Sequence, residues 1–295
     1  MADNVKQSNA ASLPRRPYGP QRIPVSIVGF GGIVVMNAQQ DHANRVVASA
    51  VERGVNYFDV APTYGDAQQH LGPALEPFRK ECFLACKTTC RDASGAAAEL
   101  KQSLEYLRTD YLDLYQLHAL NSIEKDVDVA FAKGGAMETF IAARKSGQVR
   151  HLGFSAHSQQ AAMAAMARFH FDSVLFPISL GSFFKGDFGP ALLKQAQQDG
   201  VTVLALKALA KQPWPKECPE RKRFDKCWYE PVWQPKEAEL ALRFTLSQNV
   251  TTAISPGEEE LFWLAVDIAS RFQPLSPAEM QQAGELATQV EPLFT

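Results

Sequence analysis

The chain of 295 residues is 46% hydrophobic and 21% charged, which provides a large core, excludes wholesale disorder and suits a single α/β barrel of about 250 residues. Its 30 basic and 32 acidic side chains leave a formal charge of −2, so no global field gathers nucleic acid or an anionic membrane surface. The 5 cysteines are too few for a disulfide scaffold and odd in number, which points to a reducing cytoplasm.

The segment Met1 to Arg22 is polar, interrupted by proline and lacks the apolar centre of a secretory signal. It is expected to be a flexible leader over residues 1–22, ahead of a single domain over 23–295. No later stretch approaches the roughly 18 uninterrupted apolar residues of a membrane span, so a soluble protein is expected.

From Val25 short apolar runs alternate with amphipathic ones. Val25 to Gly32 reads as a strand ending in a glycine loop, and Asp41 to Arg53 as a helix with Asp41 as its N-cap. Val55 to Ala61 is the second strand, followed by a short helix interrupted by Pro73. Cys82 to Thr88 precedes an alanine-rich helix over Ser94 to Leu107, and Tyr111 to His118 precedes a loop and a helix over Ala136 to Ser146. Val149 to Ser155, Ser173 to Ser179, Val201 to Ala208 and Val250 to Ser255 supply four more strands. Helices follow them at Gln159 to Arg168, Pro190 to Asp199, Lys236 to Ser247 and Glu258 to Arg271, and an extra helix covers Pro277 to Val290. Eight buried strands, each with a crossover helix, predict a (β/α)8 TIM barrel rather than an open doubly wound sheet. Two connections are long: Leu120 to Gly135, and Leu209 to Pro235 with Trp214, Trp228 and Trp233. Both follow strand ends and overhang the face where barrels carry chemistry. The aromatic loop reads either as a substrate-shaping wall or lid, or as a satellite hydrophobic cluster.

Ionisable side chains collect at successive strand ends: Asp59 on the second strand, Lys87 on the third and His118 on the fourth, with Tyr64 in the loop after the second. Charge in such apolar runs is costly unless paired. Alternation puts Phe83, Ala85 and Lys87 on one face and Cys82, Leu84 and Cys86 on the other. If Lys87 faces the axis, the cysteines face the helices. A phenol beside an ammonium has its pKa lowered, a carboxylate holds that ammonium charged, and an imidazole can orient a carbonyl oxygen. Each residue alone has a purely structural reading; together they predict a proton-donating centre.

Phe58 to Gly65 (FDVAPTYG), Leu84 to Thr88 (LACKT) and Leu114 to His118 (LYQLH) closely resemble the signature stretches of the aldo-keto reductases. Gly29 to Gly32, Gly147 to Ser155 and Ala253 to Gly257 fit the same family in order and spacing, and the resemblance runs from Tyr18 to Arg271. It implies an NAD(P)H-dependent carbonyl reductase with Tyr64 as general acid, Lys87 and Asp59 positioning and tuning it, and His118 orienting the carbonyl. It also implies cofactor contacts from Gly31, Asp59, Ser155, Leu206, Lys207, Ser255, Gly257, Glu258 and Asp267.

The chain departs from the family where the nicotinamide binds. Ser155-Ala156 stands where Ser-Asn is common, Pro177 to Ser179 where a glutamine is common, and Leu206 where an aromatic often stacks. After the eighth strand, Glu258 to Glu260 replace the usual basic residues near a 2′-phosphate. Carboxylates there suit a helix N-terminus and a ribose hydroxyl. NADP(H) stands first and NAD(H) second, with Lys207 or an arginine supplying the charge. Neither the glycines of Gly29 to Gly32 nor the cysteine spacings make a dinucleotide fingerprint or a metal site. His157, two residues after Ser155, faces the same rim and reads first as a surface helix cap and second as a ligand contact; Arg221 to Lys226 reads as a solvated loop face. The expected partner is a small carbonyl compound, with a monomer as default. Two other readings remain open: a nucleotide-binding sensor on the same barrel with little turnover, and a barrel hydrolase or aldolase with Lys87 as Schiff-base amine.

Overall fold

The computed structural model describes residues 13–295, so the first part of the expected leader, residues 1–12, lies outside the described residues. From Leu13 onward the leader expectation is corrected. β1 (Arg15–Tyr18) and β2 (Ile23–Ser26) form an antiparallel hairpin in which Arg16 pairs with Val25. The apolar run Val25 to Gly32 therefore divides at Ile27 into a hairpin strand and a barrel strand, β3 (Val28–Gly31). Tyr18 explains the ordering: it is fully buried, and its hydroxyl donates to Ser173 Oγ at 2.9 Å. Its ring packs against Phe83 and His151 at centroid distances of 4.6 and 5.2 Å.

Seven more strands complete the barrel: β4 (Tyr57–Asp59), β5 (Phe83–Thr88), β6 (Leu112–Leu120), β7 (Val149–Ala156), β8 (Ser173–Pro177), β9 (Thr202–Leu206) and a late strand, Thr252–Ile254. The long connection after β9 contributes a small ribbon of β10 (Ala210–Pro213) and β11 (Tyr229–Pro231), so the late strand is β12. The barrel closes in the order β12-β3-β4-β5-β6-β7-β8-β9 with parallel neighbours throughout. This is the (β/α)8 architecture.

The outer ring holds α1 (Gln40–Glu52), α2 (Ala67–Leu75), α3 (Ala93–Tyr106), α4 (Asp128–Phe131), α5 (Ala136–Ser146), α6 (Gln159–Arg168), α7 (Leu180–Phe184), α8 (Pro190–Asp199), α9 (Pro235–Ser247), α10 (Glu259–Ser270) and α11 (Pro277–Thr288). Gln39, not Asp41, is the N-cap residue of α1; Asp41 lies in the first turn, where a negative charge favours the helix dipole. Pro73 remains inside α2. In the loop after β6, a π-helical turn over Ile123–Val127 leads into the short α4.

Strand alternation creates two apolar compartments. Leu84 and Cys86 belong to the layer between barrel and helices, whereas Phe83, Ala85, Leu114, Leu175 and Leu204 fill the barrel with Tyr18 beneath them. The hairpin thus floors the amino end of the barrel and leaves the carboxyl ends of the strands open. No helix among the described residues is long and apolar enough to cross a membrane.

Candidate active site

Asp59 ends β4, Lys87 lies near the end of β5, and the interior face of each strand carries them to the same level of the barrel. Both side chains are buried, and the Lys87 ammonium donates to the Asp59 carboxylate and, at 3.1 Å, to the Val60 carbonyl. Lys87 Nζ lies 5.4 Å from the centre of the Tyr64 ring. The Tyr64 and His118 rings meet edge to face with centroids 5.9 Å apart. The structure thus brings all four sequence-predicted residues together, and all four line one cavity of about 330 Å3 at the open end of the barrel.

Burial would push the Lys87 ammonium down, but the Asp59 carboxylate and the Tyr64 phenol outweigh it and hold its pKa above the ordinary value. Burial also pushes the Tyr64 phenol up, and the nearby Lys87 charge only partly offsets it. This corrects the expectation that the lysine lowers the phenol below its usual range: desolvation wins, and Tyr64 holds its proton firmly. His118 moves the other way. Burial, with the charges of Lys87, His157 and Arg91, lowers it to about 3, so the imidazole is neutral at physiological pH and can donate a hydrogen bond without being an acid.

The end of β6 is irregular. Pairing with β7 runs through Leu117 opposite Phe154 and then shifts to Leu120 opposite Ala156, so an extra residue is accommodated at His118-Ala119. Ala119 adopts φ 55°. Its N–H donates to Ser155 Oγ at 2.7 Å, and the His118 carbonyl accepts from Arg91 Nη2 at 2.6 Å.

Of the residues expected at a cofactor, Gly31, Ser155, Leu206, Lys207, Ser255 and Gly257 line this cavity with Asp59. Gly31 is needed for close approach, since a Cβ there would lie 2.6 Å from the Ser255 carbonyl oxygen; at Gly257 it would lie 2.3 Å from Ile33 Cγ2. Lys207, with φ 69°, sets its ammonium 4.5 Å from the Tyr229 ring centre and 5.2 Å from that of Trp228. Burial lowers its pKa to about 8. Glu258 lines an adjoining cavity with His42, Asp225, Lys226 and Glu259. Asp267 departs from the expectation: it is exposed on α10 and pairs with Arg53, the C-cap residue of α1, at 2.7 Å, away from both cavities.

The sequence reading missed several lining residues. In the sixth barrel strand the cavity-facing residue is Leu175, ahead of the segment Pro177 to Ser179; counting alternation inward from Ser173 finds it. His157 lines the cavity, the second of its two readings from the sequence, while Ser158 caps α6. Its ring stacks on Phe294 at 5.4 Å, and burial beside Lys207 lowers its pKa to about 4. The long loop supplies Lys226, Trp228 and Tyr229, which fits the wall reading. Trp214 and Trp233, by contrast, pack against the main core rather than forming a separate satellite cluster.

At the acidic turn each carboxylate has a partner. Glu258 accepts from the Lys226 N–H at 2.8 Å, Glu259 meets His42 Nε2 at 2.7 Å, and Glu260 receives a two-pronged contact from Arg223 at 2.9 and 2.6 Å. Lys226 Nζ donates to the Val34 carbonyl at 3.0 Å and so ties the long loop to the turn after β3. Among the described residues no cluster of His, Cys, Asp and Glu could hold a metal ion, and all five cysteines are free.

The fold and site define a (β/α)8 barrel whose strand ends hold an ionisable cluster in a cavity of mixed polar and apolar walls. The family model "Aldo/keto reductase family" matches residues 28–226. An uncharacterized oxidoreductase of Bacillus subtilis strain 168, YqkF, is 26% identical over 211 residues, 67% of this chain and 65% of that protein. A methylglyoxal reductase of Escherichia coli K12, YeaE, is 37% identical over 111 residues, 36% of each chain. Among solved structures, the holo form of an aldo-keto reductase from Bacillus halodurans has TM-score 0.73 and 24% identity, covering 93% of this chain and 96% of that one. An aldo-keto reductase from Klebsiella pneumoniae in complex with NADPH has TM-score 0.71 and 20% identity, covering 95% and 96%. This chain belongs to the aldo/keto reductase family.

Proposed function

We propose that the protein reduces the carbonyl group of small aldehydes or ketones with a nicotinamide cofactor, NADP(H) before NAD(H), and that Tyr64 is the general acid. The observation that carries this reading is the convergence of Tyr64, Lys87, Asp59 and His118 on one cavity. The residues present fit a dinucleotide. Gly31 and Gly257 keep the rim free of side chains, Leu175, Leu206 and Ile254 offer an apolar wall, and Lys207 and Lys226 bring positive charge. Ser155, whose oxygen is occupied by the Ala119 N–H, retains one hydroxyl proton to donate. NADP(H) is favoured because the Arg223 guanidinium already offsets Glu260 and Glu259 is engaged by His42, and because the Klebsiella pneumoniae relative is described in complex with NADPH.

A reduced nicotinamide, when bound, supplies hydride to the carbonyl carbon. The remaining work falls to this chain. Neutral His118 donates a hydrogen bond to the carbonyl oxygen and aims it toward Tyr64. Tyr64 keeps its proton until negative charge develops on that oxygen, then transfers it. The Lys87 ammonium, held by Asp59, stabilises the phenolate that remains.

The substitutions Ala156, Leu175 and Leu206 leave few polar contacts for a carboxamide, which favours a slow-turnover nucleotide sensor as the second reading. One experiment separates the two. Calorimetric titration with NADPH and NADH is followed by turnover of a carbonyl panel with the parent protein and Tyr64→Phe. The reductase reading expects binding of NADPH in both proteins, turnover by the parent, and a loss of roughly 10²–10⁴-fold in the variant. Binding without turnover of any carbonyl identifies the sensor. Equal turnover in the variant removes Tyr64 as the acid.

A further inference from the structure

The irregular end of β6 has a device of its own. Inserting an extra residue in a parallel ladder strips nearby backbone groups of their partners and turns the side chain at that point. Here the affected groups are the His118 carbonyl and the Ala119 N–H, and each is taken by a side chain: Arg91 Nη2 at 2.6 Å and Ser155 Oγ at 2.7 Å. Arg91 is itself fixed. Its Nε donates to Asp126 Oδ1 at 2.9 Å and its Nη1 to the Thr89 carbonyl at 3.2 Å. The second oxygen of Asp126 accepts from the Asn121 and Ser122 N–H groups at 2.8 and 2.9 Å. A planar guanidinium therefore joins the turn after β5, the bulge at His118 and the turn after β6 into one unit.

Arg91 does not line the cavity, so it meets neither substrate nor cofactor there. Its guanidinium is mostly buried, with 14% of the side chain exposed. Such an arrangement costs desolvation and rotamer freedom, and its fork reaches two backbone carbonyls and a carboxylate, a set that a single-point cation would reach only in part.

We propose that Arg91 is a positioning residue for His118: by clamping the carbonyl of the bulge it sets the direction in which the imidazole presents its hydrogen bond. The inference rests on the carbonyl-reduction reading. It separates two parts of the site, because Arg91 governs the aim of the imidazole while the cofactor meets other residues. Misplacement of a reacting group by about an ångström costs on the order of 10²-fold in rate, and that is the scale expected here.

The test compares Arg91→Met, Arg91→Lys and Asp126→Asn with Tyr64→Phe and His118→Ala. Readouts are turnover of 4-nitrobenzaldehyde with NADPH, NADPH affinity by calorimetry, and thermal unfolding, with kinetics run below each variant's transition. Arg91→Met is expected to lower kcat/KM by on the order of 10²-fold, with NADPH affinity within about twofold of the parent. Arg91→Lys restores part of the loss through one donor, and Asp126→Asn, which frees the guanidinium to swing, falls between parent and Arg91→Met. A folded Arg91→Met that turns over within about twofold of the parent overturns the proposal. Should Arg91→Met not fold, parent-like turnover in both Arg91→Lys and Asp126→Asn overturns it equally. If Tyr64→Phe and His118→Ala are also silent, the carbonyl-reduction reading fails as well; if those two lose activity and the Arg91 and Asp126 variants do not, only the positioning role fails.

Discussion

Lys207 illustrates how one side chain is tuned by its surroundings. Burial lowers its pKa to about 8, and no carboxylate contributes to it, so the aromatic faces of Trp228 and Tyr229 are its nearest stabilising neighbours. A desolvated ammonium without an acidic partner is available to an anionic ligand. Binding an anion raises the pKa of such a lysine, so affinity is full while the lysine is charged and declines as the free site loses its proton. NADPH affinity is therefore expected to be flat below about pH 7 and to weaken as pH rises through about 8. Lys207→Met should remove that dependence and weaken binding by about 1.5–3 kcal/mol, the worth of a charge-assisted hydrogen bond. Calorimetry between pH 6 and 9 checks both; a parent profile as flat as that of the variant would refute the assignment. His118 and His157, neutral down to about 3 and 4, should add no limb in this range.

At the scale of elements, the sequence spoke most clearly where periodicity is strong. Helices α5, α6 and α8 have the bounds their apolar spacing predicts. The hairpin was hidden for two reasons: Pro17 weakens any strand signal in Arg15–Tyr18, and Val25 to Gly32 is one apolar run whose division at Ile27 depends on a distant floor. The bulge at His118 was equally hidden, since its anchors Arg91 and Ser155 come from other elements. The amino ends of β5 and β6 carry a polar network that is structural. Buried Asp113 accepts from Arg79 at 2.8 Å, Arg150 at 2.9 Å and the Leu84 N–H at 2.9 Å, and the two guanidiniums flank Tyr111. Asp113→Ala leaves Arg79 buried without its counter-ion, an expected loss of about 3–5 kcal/mol. Urea unfolding measures it, and kcat at 25 °C should stay near the parent's because the network lies at the opposite end from the cavity.

Across the whole molecule, the buried hairpin and the ionisable cluster occupy opposite ends of one barrel. Tyr18 and its hairpin close the amino end, while Tyr64, Lys87, Asp59 and His118 gather at the other. The four were legible because three occupy strand ends whose alternation fixes their direction, and the loop carrying Tyr64 is short. The rest of the cavity was not, because it is assembled from segments far apart in the chain. Lys226, Trp228 and Tyr229 reach it only when the β10–β11 ribbon folds back and Lys226 meets the Val34 carbonyl. Asp267 was misjudged for the converse reason: its position in the sequence is near Glu258, but the turns of α10 carry it outward to Arg53.

The exposed Trp228 has one more consequence. It is 56% exposed at the cavity mouth, beside the Lys207 ammonium, whereas Trp214, Trp233 and Trp263 are half-buried and packed against the core. The protein thus carries its own optical reporter. Excitation at the indole band should yield a red-shifted emission component that a reduced nicotinamide quenches by energy transfer, and Trp228→Phe should remove most of that component while leaving the bluer emission of the other indoles. An emission spectrum unchanged by the substitution would show that the mouth of the cavity is closed more tightly than this geometry implies.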